Sequence, residues 1–116
     1  GGGAALIAAR CPGFDAKALG FLADAIRGKK PGAVAVLIGT SDGKVPLLVA
    51  VDSALVKRGV KAGDLLAAIA PKVGGRGGGK PELAQGAGSD AGGIDAALAL
   101  AREITRQAVA KAAAAG

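Results

Sequence analysis

Ala33-Val34-Ala35-Val36-Leu37-Ile38, then Thr40-Ser41-Asp42-Gly43-Lys44, then Leu47-Leu48-Val49-Ala50-Val51, is the stretch that decides the fold. The first run has no polar alternation. A strand of that kind is buried on both faces and needs helices over it. Asp42-Gly43 is a strong hairpin signal, because both residues tolerate positive φ. The run after it therefore returns as the second strand of an antiparallel hairpin. Pro46 stands at the start of that strand, where its missing N–H does least harm.

Working outward, Ala5-Leu6-Ile7-Ala8-Ala9 reads as a strand ended by the turn Cys11-Pro12-Gly13. Asp15 is placed to cap a helix in which Ala16, Leu19, Leu22 and Ile26 recur at helical spacing, closed by Gly28, Lys29 and Lys30. Gly20 within that helix is tolerable if that face lies close against a sheet. On the other side, Asp52 or Ser53 caps a short helix through Val56, stopped at Gly59. Asp64 begins another, carrying Leu65, Leu66 and Ile69, broken by Pro71 and ended by Gly74. A glycine-rich loop follows, then a short strand over Glu82 to Gln85. Ser89 or Asp90 opens a long helix with Ile94, Leu98, Ala101, Ile104 and Ala108 on one face, expected to fray over Ala112 to Ala115. The order β-α-β-β-α-α-β-α predicts one α/β domain over residues 1–116, a mixed β-sheet covered by helices.

Composition bounds the function. About half of the 116 residues are hydrophobic (51%), nearly all Ala, Val, Leu and Ile, enough for one core. Phe14 and Phe21 are the only aromatics, so stacking on bases, the device of most single-strand binders, is nearly excluded. The net charge of +6 suits a phosphate-bearing partner, although lysines also serve solubility. Cys11, the single cysteine, has no internal disulfide partner. No apolar run approaches the ~20 residues needed to span a bilayer. Gly1-Gly2-Gly3-Ala4-Ala5 resembles no signal peptide, so a bacterial cytosolic location is expected.

Catalysis is argued against by omission. Without His there is no Ser-His or Cys-His pair and no imidazole metal ligand. The nine acidic residues are spread singly: Asp15, Asp64 and Asp90 read as caps and Asp42 as a turn residue. No metal site and no cofactor are expected. Cys11 reads as a plain buried or loop thiol.

Gly74-Gly75-Arg76-Gly77-Gly78-Gly79-Lys80-Pro81 is the informative segment. It fails as a phosphate loop, because Pro81 stands where a Ser/Thr should hold Mg²⁺ and the segment follows a helix rather than a strand. Gly86-Ala87-Gly88-Ser89-Asp90-Ala91 fails as a dinucleotide fingerprint, because no strand with a ribose-reading acid follows. What remains is physical. Consecutive glycines let backbone approach a partner closely, and their N–H groups could cup a phosphate with Arg76 and Lys80 at the rim. A glycine loop that merely passes tightly over the sheet is an equal alternative on pattern alone.

The run Gly77 to Gly86, with its triple glycine, basic residue and Ala84-Gln85-Gly86 before the last helix, resembles the DHH-associated domain in its alanyl-tRNA synthetase form. The resemblance covers Leu6 to Ile104, with Lys80 where Arg is common, which keeps the charge but loses the bidentate fork. It implies a non-catalytic C-terminal (C-Ala) module of an alanine–tRNA ligase that holds the elbow of alanine tRNA. It links aminoacylation with editing beside the catalytic and editing domains of the same polypeptide. In that family a preceding helical arm often takes part in dimerisation, so a homodimer is an open expectation. The resemblance makes Arg76, Gly77, Gly78, Gly79, Lys80 and Gln85 candidate RNA-binding residues. Lys29, Lys30, Lys57, Arg58 and Lys61 are candidates for a wider basic surface. One alternative is the substrate-binding domain of a DHH phosphoesterase acting on single-stranded nucleic acid, where His typically follows the triple glycine. Another is a structural module dimerising through the Ala-rich last helix.

Overall fold

The computed structural model describes residues 5–29 and 32–115, with side chains for 6–29 and 32–111. Gly1 to Ala4 and Lys30 lie outside the described residues, as do the side chains of Ala5 and Ala112 to Ala115. The chain runs β1 (Ala5–Pro12), α1 (Ala16–Lys29), β2 (Ala33–Thr40), β3 (Val45–Val51), α2 (Ser53–Lys57), α3 (Ala62–Ile69), β4 (Arg76–Gly79), β5 (Leu83–Gly88) and α4 (Ile94–Ala115). Short 3₁₀ turns join α3 to β4 and β5 to α4. The five strands lie in the order β1-β2-β3-β5-β4, with β1 parallel to β2 and every other pair antiparallel.

The hairpin forms where the sequence places it. Asp42 and Gly43 take φ of 52° and 78°, the two positive values of a type I′ turn, and Ser41 and Lys44 exchange backbone hydrogen bonds of 3.0 and 2.9 Å. The register runs from Val34 opposite Val51 to Ile38 opposite Leu47. Pro46 lies beyond that ladder and faces Ala87 of β5.

Period-2 alternation then sorts the hairpin into two cores. Val34, Val36, Ile38, Val45, Leu47, Val49 and Val51 turn to the face packed by α2, α3 and α4. Ala35, Leu37, Leu48 and Ala50 turn to the other, where α1 contributes Leu19 and Ala23. The two faces are unequally covered. Helix α1 lies over β2 and β3, with Leu83 of β5 packed at the margin of its core, and Gln85 and Ala87 of β5 and Arg76 and Gly78 of β4 are left exposed on the same face.

Several boundaries differ from the sequence expectation, each for a local reason. Strand β1 continues to Pro12, because it pairs in parallel with β2 as far as Thr40. Asp15 caps α1 as expected, its Oδ1 accepting from Ala18 N at 2.8 Å. Helix α1 runs to Lys29, inside the close expected over Gly28, Lys29 and Lys30. Gly20 makes no close sheet contact, since a Cβ there would meet nothing within 4 Å. Asp52 caps α2 by accepting from Ala54 N at 3.0 Å. Asp64 is not a cap: α3 begins at Ala62 after Lys61, and Asp64 sits in its first turn, where its charge favours the helix dipole. Asp90 caps the 3₁₀ turn before α4, accepting from Gly92 N at 3.0 Å. Helix α4 extends through Ala115, past the point where fraying was expected.

Leu37 is fully buried (0% exposed) between the sheet and α1. Leu37→Ala is expected to lower unfolding free energy by about 2–5 kcal/mol in urea melts, as large-to-small core changes do. A loss within ~0.5 kcal/mol, the surface value, would place the strand elsewhere.

Candidate nucleic-acid interface

The glycine segment is a strand. Arg76 to Gly79 form β4, the edge of the sheet, paired antiparallel with β5. The expected phosphate-cupping loop is therefore corrected: half of these peptide groups are spent on the ladder with β5, and the other half face out along the edge. A tight turn joins the strands, with Lys80 N donating to Leu83 O at 2.9 Å and Leu83 N to Lys80 O at 3.2 Å.

The three glycines have different reasons. A Cβ on Gly77 would lie 2.4 Å from Gly86 Cα, and one on Gly79 would lie 2.6 Å from Leu83 O. Backbone blocks both, so these two are glycines for internal reasons. A Cβ on Gly78 would meet nothing within 4 Å. Packing leaves Gly78 free to be larger, so its bareness is not demanded by the fold.

Register places Gly78 opposite Gln85 and Arg76 opposite Ala87, on the face that α1 leaves bare. These four residues are all exposed and form a strip of backbone and small side chains. An open cleft of about 350 Å³ adjoins the strip at Ala87, lined also by Asp15, Ser41, Asp42 and Lys44. The strip's extension to Ala87 escaped the sequence, which ended the strand at Gln85. The period-2 repeat Gly86-Ala87-Gly88 was the available signal.

The fold also gathers cations scattered in the sequence. Ala62 N donates to Pro81 O at 2.7 Å, so Lys61 sits beside the turn that carries Lys80. Val51 N donates to Glu82 O at 2.9 Å and Asp52 N to Ala33 O at 3.2 Å. These bonds put the starts of α2 and β2 at the same end of the sheet. Lys57 and Arg58, at the end of α2, and Lys29, at the end of α1, belong to that end as well. Arg76 stands apart, ~13 Å up the edge strand from Lys80. Asp52, Asp64 and Glu82 share the basic end and dilute it. The described side chains of all the basic candidates are exposed.

Among the described residues, no group of three or more His, Cys, Asp or Glu could hold a metal ion. Cys11 is buried at the end of β1, and burial pushes its thiol above its ordinary range, away from the reactive thiolate. No helix among the described residues is long and apolar enough to cross a membrane.

Residues 3–107 match the family model described as the DHHA1 domain. The chain is 53% identical over 100 residues to the alanine–tRNA ligase of Nocardia farcinica, a match spanning 84% of this chain and 11% of that protein. It is 48% identical over 109 residues to the alanine–tRNA ligase of Anaeromyxobacter dehalogenans, spanning 94% of this chain and 12% of that one. The chain thus spans only 11% to 12% of the length of these relatives. Its fold resembles the crystal structure of the C-Ala domain from Aquifex aeolicus alanyl-tRNA synthetase. The TM-score is 0.78 at 24% identity, covering 85% of this chain and 88% of that one.

The contrast between the glycines is testable by urea melts. Gly77→Ala is expected to destabilise by at least ~1 kcal/mol, because its Cβ meets immovable backbone. Gly78→Ala is expected to stay within ~0.5 kcal/mol of the parent. Equal losses at both positions would remove the distinction.

Proposed function

The chain belongs to the DHHA1 domain family, and from that membership we propose that it is the tRNA-binding C-terminal module of an alanine–tRNA ligase. Gly78 carries the proposal: it is bare for no internal reason, on a bare strip flanked by Arg76 and Lys80. A surface without side-chain bulk lets a sugar-phosphate backbone lie against it. Arg76 offers a planar fork to phosphate, and Lys80 a point charge. Gln85, opposite Gly78, supplies a donor and an acceptor for a ribose 2′-hydroxyl. Lys61 beside Lys80, with Lys57, Arg58 and Lys29 at the same end, extends the positive surface.

The strip carries no aromatic ring, which suits folded RNA read by backbone and shape rather than loose bases. The elbow of alanine tRNA is the proposed target. By holding it, the module would keep one substrate within reach of the aminoacylation and editing domains of the same cytoplasmic polypeptide. The chain's own part is binding, and the chemistry belongs to those domains. The phosphoesterase alternative is not the one favoured by relatives that are alanine–tRNA ligases. Lys80-Pro81 also stands where that branch typically has His.

Arg76→Ala with Lys80→Ala is expected to weaken binding of folded tRNA by about 1–3 kcal/mol, with stability unchanged. The log–log salt slope is expected to flatten by about one to two units. A minihelix lacking the elbow should bind more weakly than intact tRNA. Equal affinity for the two RNAs, or a double variant that binds tRNA like the parent, would refute the assignment.

A further inference from the structure

At the end of the sheet away from Lys61 and Lys80, the β2–β3 turn, the start of α1 and the end of β5 enclose the open cleft of about 350 Å³. That volume is at the lower end of the range for small-molecule sites. Pro46 and Ala87 give the cleft an apolar lining. They are register partners, and Ala87 is in turn opposite Arg76 of the strip. The cleft therefore continues the strip, with the backbone of Arg76 one strand spacing, about 5 Å, from Ala87.

The charged lining is wrong for a phosphate. Asp15 and Asp42 stand against the single cation Lys44, in a chain whose net charge is +6. Neither carboxylate is used up by local structure. Asp15 caps α1 with Oδ1 alone. The left-handed conformation of Asp42 (φ 52°) is open equally to Asn or Gly. Among the described residues, the Asp42 carboxylate enters neither an ion pair nor a side-chain hydrogen bond.

Such a cleft suits a group with apolar faces and N–H donors along its edge, which describes a nucleobase. Among the four bases only guanine sets two donors side by side, N1–H and the 2-amino group, next to the acceptor O6. A carboxylate accepts from both donors at once, and an ammonium two residues along the same turn is placed to donate to O6. Resting on the reading of the strip as an RNA surface, we propose that the cleft receives one unpaired guanine of the bound RNA. Asp42 accepts from N1–H and the 2-amino group, and Lys44 donates to O6. Pro46 and Ala87 replace an aromatic platform beneath the base, and Arg76 meets a phosphate of the same strand. The strip then supplies affinity through phosphate and shape, and the cleft supplies sequence preference.

Amide shifts of the chain test the cleft itself, in separate titrations with guanosine, inosine, adenosine, cytidine and uridine monophosphates. The guanine nucleotide is expected to move Ser41, Asp42, Lys44 and Ala87 and to bind about fivefold or more tightly than each of the others. Inosine, which lacks only the 2-amino group, is the closest control. Asp42→Asn and Asp42→Gly both keep the turn and are expected to erase the preference, with circular dichroism checking the fold. The same two variants are then measured with folded tRNA. Removing a negative charge strengthens a purely electrostatic RNA contact, so an Asp42 that is merely solvated gives variants binding as well as the parent or better. The proposal gives the opposite sign: affinity falls by about fivefold or more, with the salt slope unchanged because no phosphate contact is lost. Nucleotides that bind alike, shifts confined to other residues, or Asp42 variants that bind tRNA as well as the parent each overturn it. In the last case, a loss of affinity on changing Arg76 and Lys80 to Ala leaves the strip reading standing. A parent chain that binds no tRNA refutes the strip reading and overturns this proposal with it.

Discussion

The β2–β3 pairing is the constraint on which the remaining structure depends. Every residue of β3 is buried, and every residue of β2 except Thr40. A strand pair with no solvated face must be roofed on both sides, and the helices are distributed to do so. The distribution is uneven. Helices α2, α3 and α4 share one face, whereas α1 alone covers the other and is only wide enough for β2 and β3. The bare face of β5 and β4 follows directly. Such a surface is tolerable in water only because it carries Gly, Ala, Gln and Arg rather than large apolar side chains.

The parts of the fold legible in the sequence are those that side chains announce. Unbroken apolar runs around Asp42-Gly43 specified the hairpin, and the spacing of Ile94, Leu98 and Ala101 specified α4. The edge strand was not legible for the opposite reason. A period-2 pattern needs side chains to alternate, and Gly77-Gly78-Gly79 has none. Glycine is also poor in strand propensity, so β4 exists because β5 offers a ladder that is visible only in three dimensions. The start of α3 was misplaced because Lys61 makes no side-chain cap, leaving Asp64 as the nearest misleading signal.

The candidate site was legible in part. The glycine motif drew attention to the right segment, but sequence treats its three glycines as equivalent. Only geometry separates Gly77 and Gly79, hemmed in by backbone, from Gly78, which faces open space. The basic residues show the same limit. Lys61 and Lys80 are far apart in the chain and become neighbours through the bond from Ala62 N to Pro81 O. Both phenylalanines were expected to count for little in RNA recognition. Neither belongs to the strip: Phe21 is on the exposed side of α1, and Phe14 is in the turn before that helix.

The central claim is that the bare strip of β4 and β5 is where RNA lies. Mapping backbone amide shifts of the chain during titration with folded tRNA tests it most directly, since each amide reports its own position. The account predicts the largest shifts at Arg76 to Lys80 and Leu83 to Gly88, smaller ones near Lys61, and little change along α4 or the outer face of α1. Shifts centred on α4 or α1, with β4 and β5 unmoved, would contradict it.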